Sequence, residues 1–408
     1  MSRRDELKFA VATFVPLIAA MVAAMVSAAM AADWPEFLGP GGRGVAAGPI
    51  RTTWNEREGI AWRADLPGRG ASSPIVVGDL VVVTAASGAR QDRLHVIAFD
   101  AKSGAVRWHR TFWATGRTLC HSTSSVAAGT PASDGERIVA LFSSCDLFAL
   151  DREGRLLWQR NLALEHPRSG NDVGMGSSPR IVDGAVVEQI DCQGDAFASG
   201  IDLVTAVDRW IVPREKLASW SSPLAVARPD GPCVLLQNPR GLELRRAGDG
   251  SLAWSWQGEC AGIPVTAHAG GVLYAPTGGL AAVPIAEGRV APTWQSTKLA
   301  CGIASPLVWK DSVACINRAG VLGIGSLADG SLRGQLRLAG SFWASPIVVD
   351  DMIVAANKEG KTFLVSVAGE PKVVAENELP GTFTATPAVA DGSLYLRSET
   401  ALWKVAAP

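Results

Sequence analysis

Neither sign of charge is in excess in this chain. Lys and Arg number 38 and Asp and Glu 39, in 408 residues. That balance removes the electrostatic footprint of a nucleic-acid binder or of a protein held on anionic lipid. Tyrosine is nearly missing, two residues against 14 Trp. Several of those Trp fall at one place in a repeat, which assigns them to packing. The five histidines (His95, His109, His121, His166 and His268) show no H-x-H or H-x3-H spacing. Cys120-His121 supplies two adjacent donors where zinc asks for four, so no metal site is expected. No carboxylate pair and no Ser/His/Asp arrangement can be assigned from spacing, and no catalytic residue is proposed from sequence. Gly360-Lys361-Thr362 matches the end of a phosphate-binding loop, but Ala355 stands where that motif needs glycine.

What the chain has is a period. A Ser/Thr-Pro pair opens a short apolar segment at Ser73-Pro74, Thr130-Pro131, Ser178-Pro179, Ser222-Pro223, Ser305-Pro306, Ser345-Pro346 and Thr386-Pro387. Ile263-Pro264 reads as a degenerate eighth copy. From Pro74 onward the intervals are 57, 48, 44, 41, 42, 40 and 41 residues. A fixed spacing near 41 means an array of one supersecondary unit whose copies share a continuous core.

The first copy shows what the unit is. Pro74–Val77 is a short strand with proline at its start, where no ladder donor is needed. Gly78-Asp79 turns the chain into the apolar run Leu80–Ala85, and Leu94–Phe99 is a third strand. Asp100–Gly104 is a second turn, and Ala105–Trp108 begins a fourth strand. Four antiparallel strands make a blade, so the sequence predicts an all-β, eight-bladed β-propeller of four-stranded antiparallel blades. The last repeat ends one strand short, after Ala401–Val405. Gly59–Leu66 precedes the first repeat and looks like a fourth strand, so the ring is expected to be closed by an N-terminal strand. Blade 3 is irregular, stretched by Asp191–Asp195 and Ala198–Gly200.

Three segments follow: 1–31 as a signal peptide, 32–58 as an N-terminal extension and 59–408 as the propeller. Arg3, Arg4 and Lys8 precede an apolar run from Phe9 to Ala32, and Ala29-Met30-Ala31 fits an A-x-A cleavage pattern. The run is also near the length of a bilayer span, so an uncleaved anchor is the rival, and membrane contact is expected only in that case. Ser2–Lys8 is similar to a twin-arginine export signal, with Glu6 where that signal has a large apolar residue. The general secretory and twin-arginine routes both lead to a periplasmic or extracellular chain. No cysteine precedes Cys120, so no acceptor for an N-terminal lipid is present. Seven cysteines leave at least one thiol unpaired within the chain. Cys260 with Cys301, and Cys145 with Cys192, hold matching places in adjacent repeats. Bonded pairs and buried free thiols both stand as readings.

Ala98-Phe-Asp100-Ala-Lys-Ser103-Gly104-Ala-Val-Arg-Trp108 resembles the tryptophan-docking motif A-x-D-x-x-T-G-x-x-x-W of the pyrroloquinoline-quinone-type β-propeller repeat family. Ala149-Leu-Asp151-Arg-Glu-Gly154-Arg-Leu-Leu-Trp158 matches with one residue deleted. Gly250–Trp254 keeps the second half and Gly288–Trp294 is stretched. The last three blades keep the turn without the tryptophan. The resemblance implies that the motif fixes blade-to-blade packing, with the alanine making room for the neighbouring blade's tryptophan. Asp33–Pro40 is similar to a segment that opens many secreted members.

The family has two branches. Dehydrogenases bind the quinone and Ca²⁺ in the central channel under long inserted loops, often with an adjacent cysteine pair over the cofactor. Non-catalytic scaffolds are similar to the BamB-type lipoprotein that assists outer-membrane β-barrel assembly. Here no two cysteines are adjacent, no C-x-x-C-H segment occurs, and the repeats from Pro223 onward leave little room for insertions. The resemblance therefore implies a secreted scaffold without cofactor, binding a protein partner or small ligand through loops at one propeller face. A quinone- and calcium-dependent alcohol dehydrogenase is the alternative. A channel walled by short turns is expected to stay wet and open at both ends. The best functional candidate is the insertion between blades 1 and 2, which carries Trp113, Arg117 and His121. Gly174-Met175-Gly176 is a glycine-rich loop that reads as either a ligand loop at the channel mouth or a plain connection.

Overall fold

Seven of the eight repeated prolines stand directly before an innermost strand, where the missing N–H leaves no ladder bond unmade. In the computed structural model, which describes residues 33–288 and 290–408, the segments after those prolines build eight antiparallel sheets arranged as blades. Blade 1 is a meander of Ile75–Val77, Leu80–Ser87, Arg93–Asp100 and Val106–Trp113. Its first three strands are nearly all buried and its fourth is mostly exposed. That gradient is what a ring imposes, since inner strands have neighbours on both faces and outer strands form the rim. The expected signal peptide, or anchor, on residues 1–31 lies outside the described residues.

The ring closes as the incomplete last repeat requires. Blade 8 takes three strands from the C-terminus and its fourth, Ile60–Asp65, from before the first repeat. The register runs from Ile60 opposite Val405 to Asp65 opposite Ala401. The Leu66 N–H continues the pairing to the Thr400 carbonyl at 2.8 Å. No sheet edge is left bare at the seam. In blade 3, the stretched part is confined to the turn around Asp191–Asp195, and Ala198–Gly200 belongs to the regular strand Phe197–Asp202.

The Ser and Thr of the repeated pair have a second task. Each backbone N–H donates to the next hydroxyl: Ser73 to Thr130, Thr130 to Ser178, and Ser178 to Ser222, at 2.9–3.0 Å. Ser305 donates to Ser345, Ser345 to Thr386, and Thr386 back to Ser73, each at 3.0 Å. This belt corrects the reading of blade 5. There Val265, not Ile263, donates to Ser305 at 3.0 Å, and the inner strand Ala267–Ala269 starts to match. Val265-Thr266 therefore holds the place of the repeated pair, two residues beyond Ile263-Pro264. Val265 has no hydroxyl to offer Ser222.

Neighbouring blades are joined by tryptophan. Trp108 of blade 1 donates its indole N–H to the Arg152 carbonyl of blade 2 at 2.7 Å. Trp158 does the same to Leu203 at 2.9 Å, Trp254 to Ala286 at 2.9 Å, and Trp294 to Leu327 at 2.9 Å. Trp62 on the closing strand reaches Ala101 at 3.2 Å. The structure adds Trp210, which donates to Ala247 at 2.9 Å. Gly200-Ile-Asp202-Leu-Val-Thr205-Ala206-Val-Asp-Arg-Trp210 keeps the motif's spacing with Asp, Thr and Trp in place, while Gly200 stands at its alanine and Ala206, in the left-handed region at φ 61°, at its glycine.

The geometry also reassigns the motif's alanine. Ala98 lies opposite Trp108 of its own blade, and Ala149 opposite Trp158. The neighbouring ring covers the glycine instead. A Cβ on Gly104 would lie 2.6 Å from Trp62, and one on Gly154 2.5 Å from Trp108. Asp100 and Asp151 shape these turns by accepting from the backbone N–H groups of Ser103 and Arg155, each at 2.8 Å.

Residues 33–58 cross the ring. Trp34 exchanges two 2.9 Å backbone bonds with Val76 of blade 1, and Ser133 of blade 2 donates to the Pro35 carbonyl at 2.9 Å. Glu36 pairs with the buried Arg180 of blade 3. Leu38, Gly39, Gly41, Gly42 and Gly44 all have φ between 63° and 67°, a conformation that glycine adopts without penalty. That stretch bends the chain over Leu224 of blade 4 and Leu307 of blade 6, which a Cβ on Gly42 or Gly44 would meet. Val45–Ala46 then adds a parallel fifth strand to blade 7. Phe37 reaches the channel itself. The channel is thus crossed at one end, contrary to the expectation of two open ends. The sequence reading missed this because the extension's contacts follow no period.

Candidate binding face and channel

Two long connections, 114–131 and 162–179, meet at the uncrossed end of the channel. A buried carboxylate anchors the first. Asp146 accepts from the Thr115 N–H at 3.0 Å, the Thr115 hydroxyl at 2.5 Å and the Ser144 hydroxyl at 2.6 Å. Asn161 donates to Asp146 at 2.8 Å and caps the short helix Leu162–Glu165 by accepting from the Leu164 N–H at 2.8 Å. The second connection is tied to the first. The His121 N–H reaches the Val173 carbonyl at 2.9 Å. The Ser143 hydroxyl donates to the Leu119 carbonyl at 2.9 Å and accepts from the Met175 N–H at 2.7 Å. Trp220 of the next connection donates to the Gly174 carbonyl at 2.7 Å. Gly174-Met175-Gly176 is therefore a packed loop, and Gly176 lines the channel.

These bonds make one platform on blades 1–3. A cavity of about 330 Å³ opens between the two connections, lined by Arg117, Leu119, Ser144, Leu164 and Asn171 among others. Of the three residues singled out in sequence, only Arg117 lines it. Arg117 pairs with Asp172 at 3.5 Å. Trp113 lies beside the platform, 65% exposed, with the Arg93 guanidinium 5.5 Å from its ring centre. His121 is exposed and shares a 2.7 Å hydrogen bond with the Thr123 hydroxyl. The apolar part of the platform escaped sequence reading. Leu119, Leu164 and Val173 are exposed, Leu164 by 67%. A run of small residues around a short helix gives no periodic signal, whereas a bare leucine at a capped helix start is visible once the loop is placed.

The channel is narrow and uncharged. Ser73, Thr130, Ser178, Ser222, Val265, Ser305, Ser345 and Thr386 form one ring of its wall. Two residues earlier in each blade, Ala71, Ala128, Gly176, Trp220, Ile263, Ile303, Trp343 and Thr384 form a second ring. The cavity within these two rings is about 110 Å³, with Phe37 at the crossed end. No carboxylate, histidine or cation stands among these wall residues.

Titratable groups elsewhere are held for structural reasons. His95 is pushed down to about 4 by burial, with His109 and Arg93 adding to the effect. Its Nδ1 is 3.0 Å from His109 Nε2, and its Nε2 is 2.8 Å from the Ser87 hydroxyl. The Arg397 guanidinium is buried without a carboxylate partner, and burial lowers it to about 9. It donates to the Ser72 carbonyl at 2.7 Å and the Thr84 carbonyl at 2.5 Å. Cys120 accepts from the Gln91 amide at 3.3 Å. Among the described residues no group of three or more His, Cys, Asp and Glu is placed to hold a metal ion.

A family model described as outer membrane protein assembly factor BamB matches residues 52–228 and again 203–407. The chain belongs to this family of PQQ-type repeat propellers. BamB from Moraxella catarrhalis is 16% identical, with a TM-score of 0.63 over 85% of this chain and 96% of that one. A europium-containing methanol dehydrogenase is 13% identical, with a TM-score of 0.66 over 90% and 89%. The quinohemoprotein alcohol dehydrogenase from Comamonas testosteroni is 12% identical, with a TM-score of 0.66 over 91% and 80%. At such identities the likeness establishes the fold, and the fold serves many chemistries. No curated protein matches the chain.

Proposed function

We propose that the chain is an exported, non-catalytic scaffold that binds a protein partner through the platform on blades 1–3. The channel wall carries the reading. A calcium ion needs six to eight oxygen ligands, carboxylates among them, and the wall offers hydroxyls and apolar groups only. Small-molecule sites enclose roughly 300–1,000 Å³, against about 110 Å³ here. A quinone with its calcium ion does not fit these residues. Binding is left to the loops, which are where a rigid scaffold places it. The exposed Trp113, Leu119, Leu164 and Val173, set beside Arg117, form an apolar surface with a polar edge. Aromatic and Arg anchors of that kind dominate protein interfaces. Membership of the BamB family supports the same reading.

A photo-crosslinking residue placed at Leu164 in living cells tests the proposal. It is expected to capture a discrete protein, while the same residue at the exposed Val207, on a turn of blade 3 away from the platform, captures none. Equal capture at both places would overturn the platform. Titration with quinone and Ca²⁺ is expected to give no binding, and stoichiometric micromolar binding would move the protein to the dehydrogenase branch.

A further inference from the structure

The structure brings together two cysteines that sequence spacing did not pair. Cys260 with Cys301 and Cys145 with Cys192 were matched by repeat position, yet neither pair is in sulfur contact among the described residues. Cys301 instead meets Cys315, sulfur to sulfur at 2.9 Å. Cys301 is half-exposed on the connection 297–306 leading into blade 6. Cys315 is buried in the strand Ser312–Ile316 of the same blade. The Gly302 N–H donates to the Ile316 carbonyl at 3.1 Å and holds the two segments side by side. Leu299 is fully buried just before Cys301, so the connection is fixed on both flanks.

We propose that Cys301 and Cys315 are an oxidisable pair that forms a disulfide with a small-molecule disulfide as oxidant. A disulfide has its sulfurs about 2.04 Å apart, so the 2.9 Å contact closes with a movement of under about 1 Å. The asymmetry of exposure orders the steps. Cys301, the reachable thiol, attacks the oxidant as thiolate, and one oxidant sulfur leaves as a thiolate that takes up the Cys301 proton. Cys315 then attacks Cys301 in the mixed disulfide, and the second oxidant sulfur leaves and takes up the Cys315 proton. Each cysteine sulfur loses one electron and the external disulfide gains both. Burial pushes the Cys315 thiol well up, in keeping with its role as the second thiol rather than the first. The bond would fasten the connection that carries Ile303 and Ser305 of the channel wall to the body of blade 6. It differs in kind from an adjacent cysteine pair over a cofactor, since it lies between a loop and a strand.

Trypsin cutting after Lys298, Lys310 and Arg318 isolates the two cysteines on peptides 299–310 and 311–318. The folded protein is incubated with oxidised glutathione, unfolded in iodoacetamide and digested without reduction. The two peptides are expected as one cross-linked species, and the oxidised protein is expected to melt about 2 °C or more above the reduced one. In Cys301→Ser, peptide 311–318 is expected fully alkylated and the melting shift gone. Full alkylation of both peptides in the parent protein, or glutathione left on Cys301, would overturn the proposal. Glutathione on Cys315 in Cys301→Ser would overturn the order of attack.

Discussion

Six of the eight blade contacts carry a docked tryptophan and two do not. From blade 8 round to blade 6 the rings of Trp62, Trp108, Trp158, Trp210, Trp254 and Trp294 each donate to a carbonyl of the next blade. Between blades 6 and 7 the place is small: a Cβ on Gly334 would lie 2.6 Å from Pro371. Between blades 7 and 8 the outer strand offers Ala375, and the N-terminal extension supplies bulk in its stead. Buried Trp54 joins the cluster of Leu379, Phe383 and Leu394, its backbone N–H donating to the Asn377 side-chain oxygen at 2.7 Å. A repeat array can therefore lose its docking residue where a segment from outside the array covers the gap. The cost is that this part of the ring depends on residues distant in sequence.

That difference can be broken. Deleting 33–66 removes both the extension and the closing strand, opening an edge and baring the tryptophan-free contact. Melting is expected to fall by about 10 °C or more, and a fall of only a degree or two would show that the array stands without its seam. Trp210→Ala, at a docked and 7% exposed position, is expected to cost about 3–5 kcal/mol in urea unfolding, as for a large buried aromatic. Trp108→Ala, half-exposed at the equivalent place, is expected to cost less than Trp210→Ala. Equal losses would mean that the indole hydrogen bond outweighs burial.

The contact between blades 2 and 3 hides a different weakness. Glu188 is wholly buried with neither carboxylate oxygen bonded, and burial pushes it well above the usual carboxylate range. The folded state keeps the proton that the unfolded chain releases above its ordinary value near 4.3. Stability from this group is therefore full at acid pH and falls as pH rises towards the folded value. Glu188→Gln is expected to raise the urea midpoint at pH 8 and leave it almost unchanged at pH 4. A pH-independent effect would mean that the carboxyl titrates alike in the folded and unfolded chain, and a loss at pH 8 would place it near a counter-charge. The smallest change is Val265→Ser, which restores the hydroxyl facing Ser222. A gain of about 0.5–1.5 kcal/mol is expected, and a loss would show that apolar packing at Val265 matters more than the belt.

The period made the fold legible, because a proline at seven of the inner strands and a tryptophan at six of the outer ones answer local demands. Seam closure could be read from a missing strand and a spare one. Trp210 was equally written in the chain at the motif's spacing, but Gly200 and Ala206 stand where the motif has alanine and glycine, and that exchange masks it. The platform was half legible. The extra length of the first interval marked the loop, and Arg117 proved to line a cavity, while Leu119, Leu164 and Val173 needed the second connection to be placed. The channel wall is assembled from eight distant segments, so no local pattern announces that it lacks charge.

Ile60 pairs with Val405, and this gives the molecule an order in time as well as in space. A strand made before the first repeat waits for one in the eighth, with all the blades between them. Contacts of such sequence separation form slowly, since the loop must be closed before the pairing rewards it. Until then the chain is a row of sheets with two open faces, exposed to aggregation and proteolysis. A variant with new termini between blades 3 and 4 and the old ends joined would make that strand and its partner neighbours in sequence, and the same ring should then assemble faster without gaining a contact.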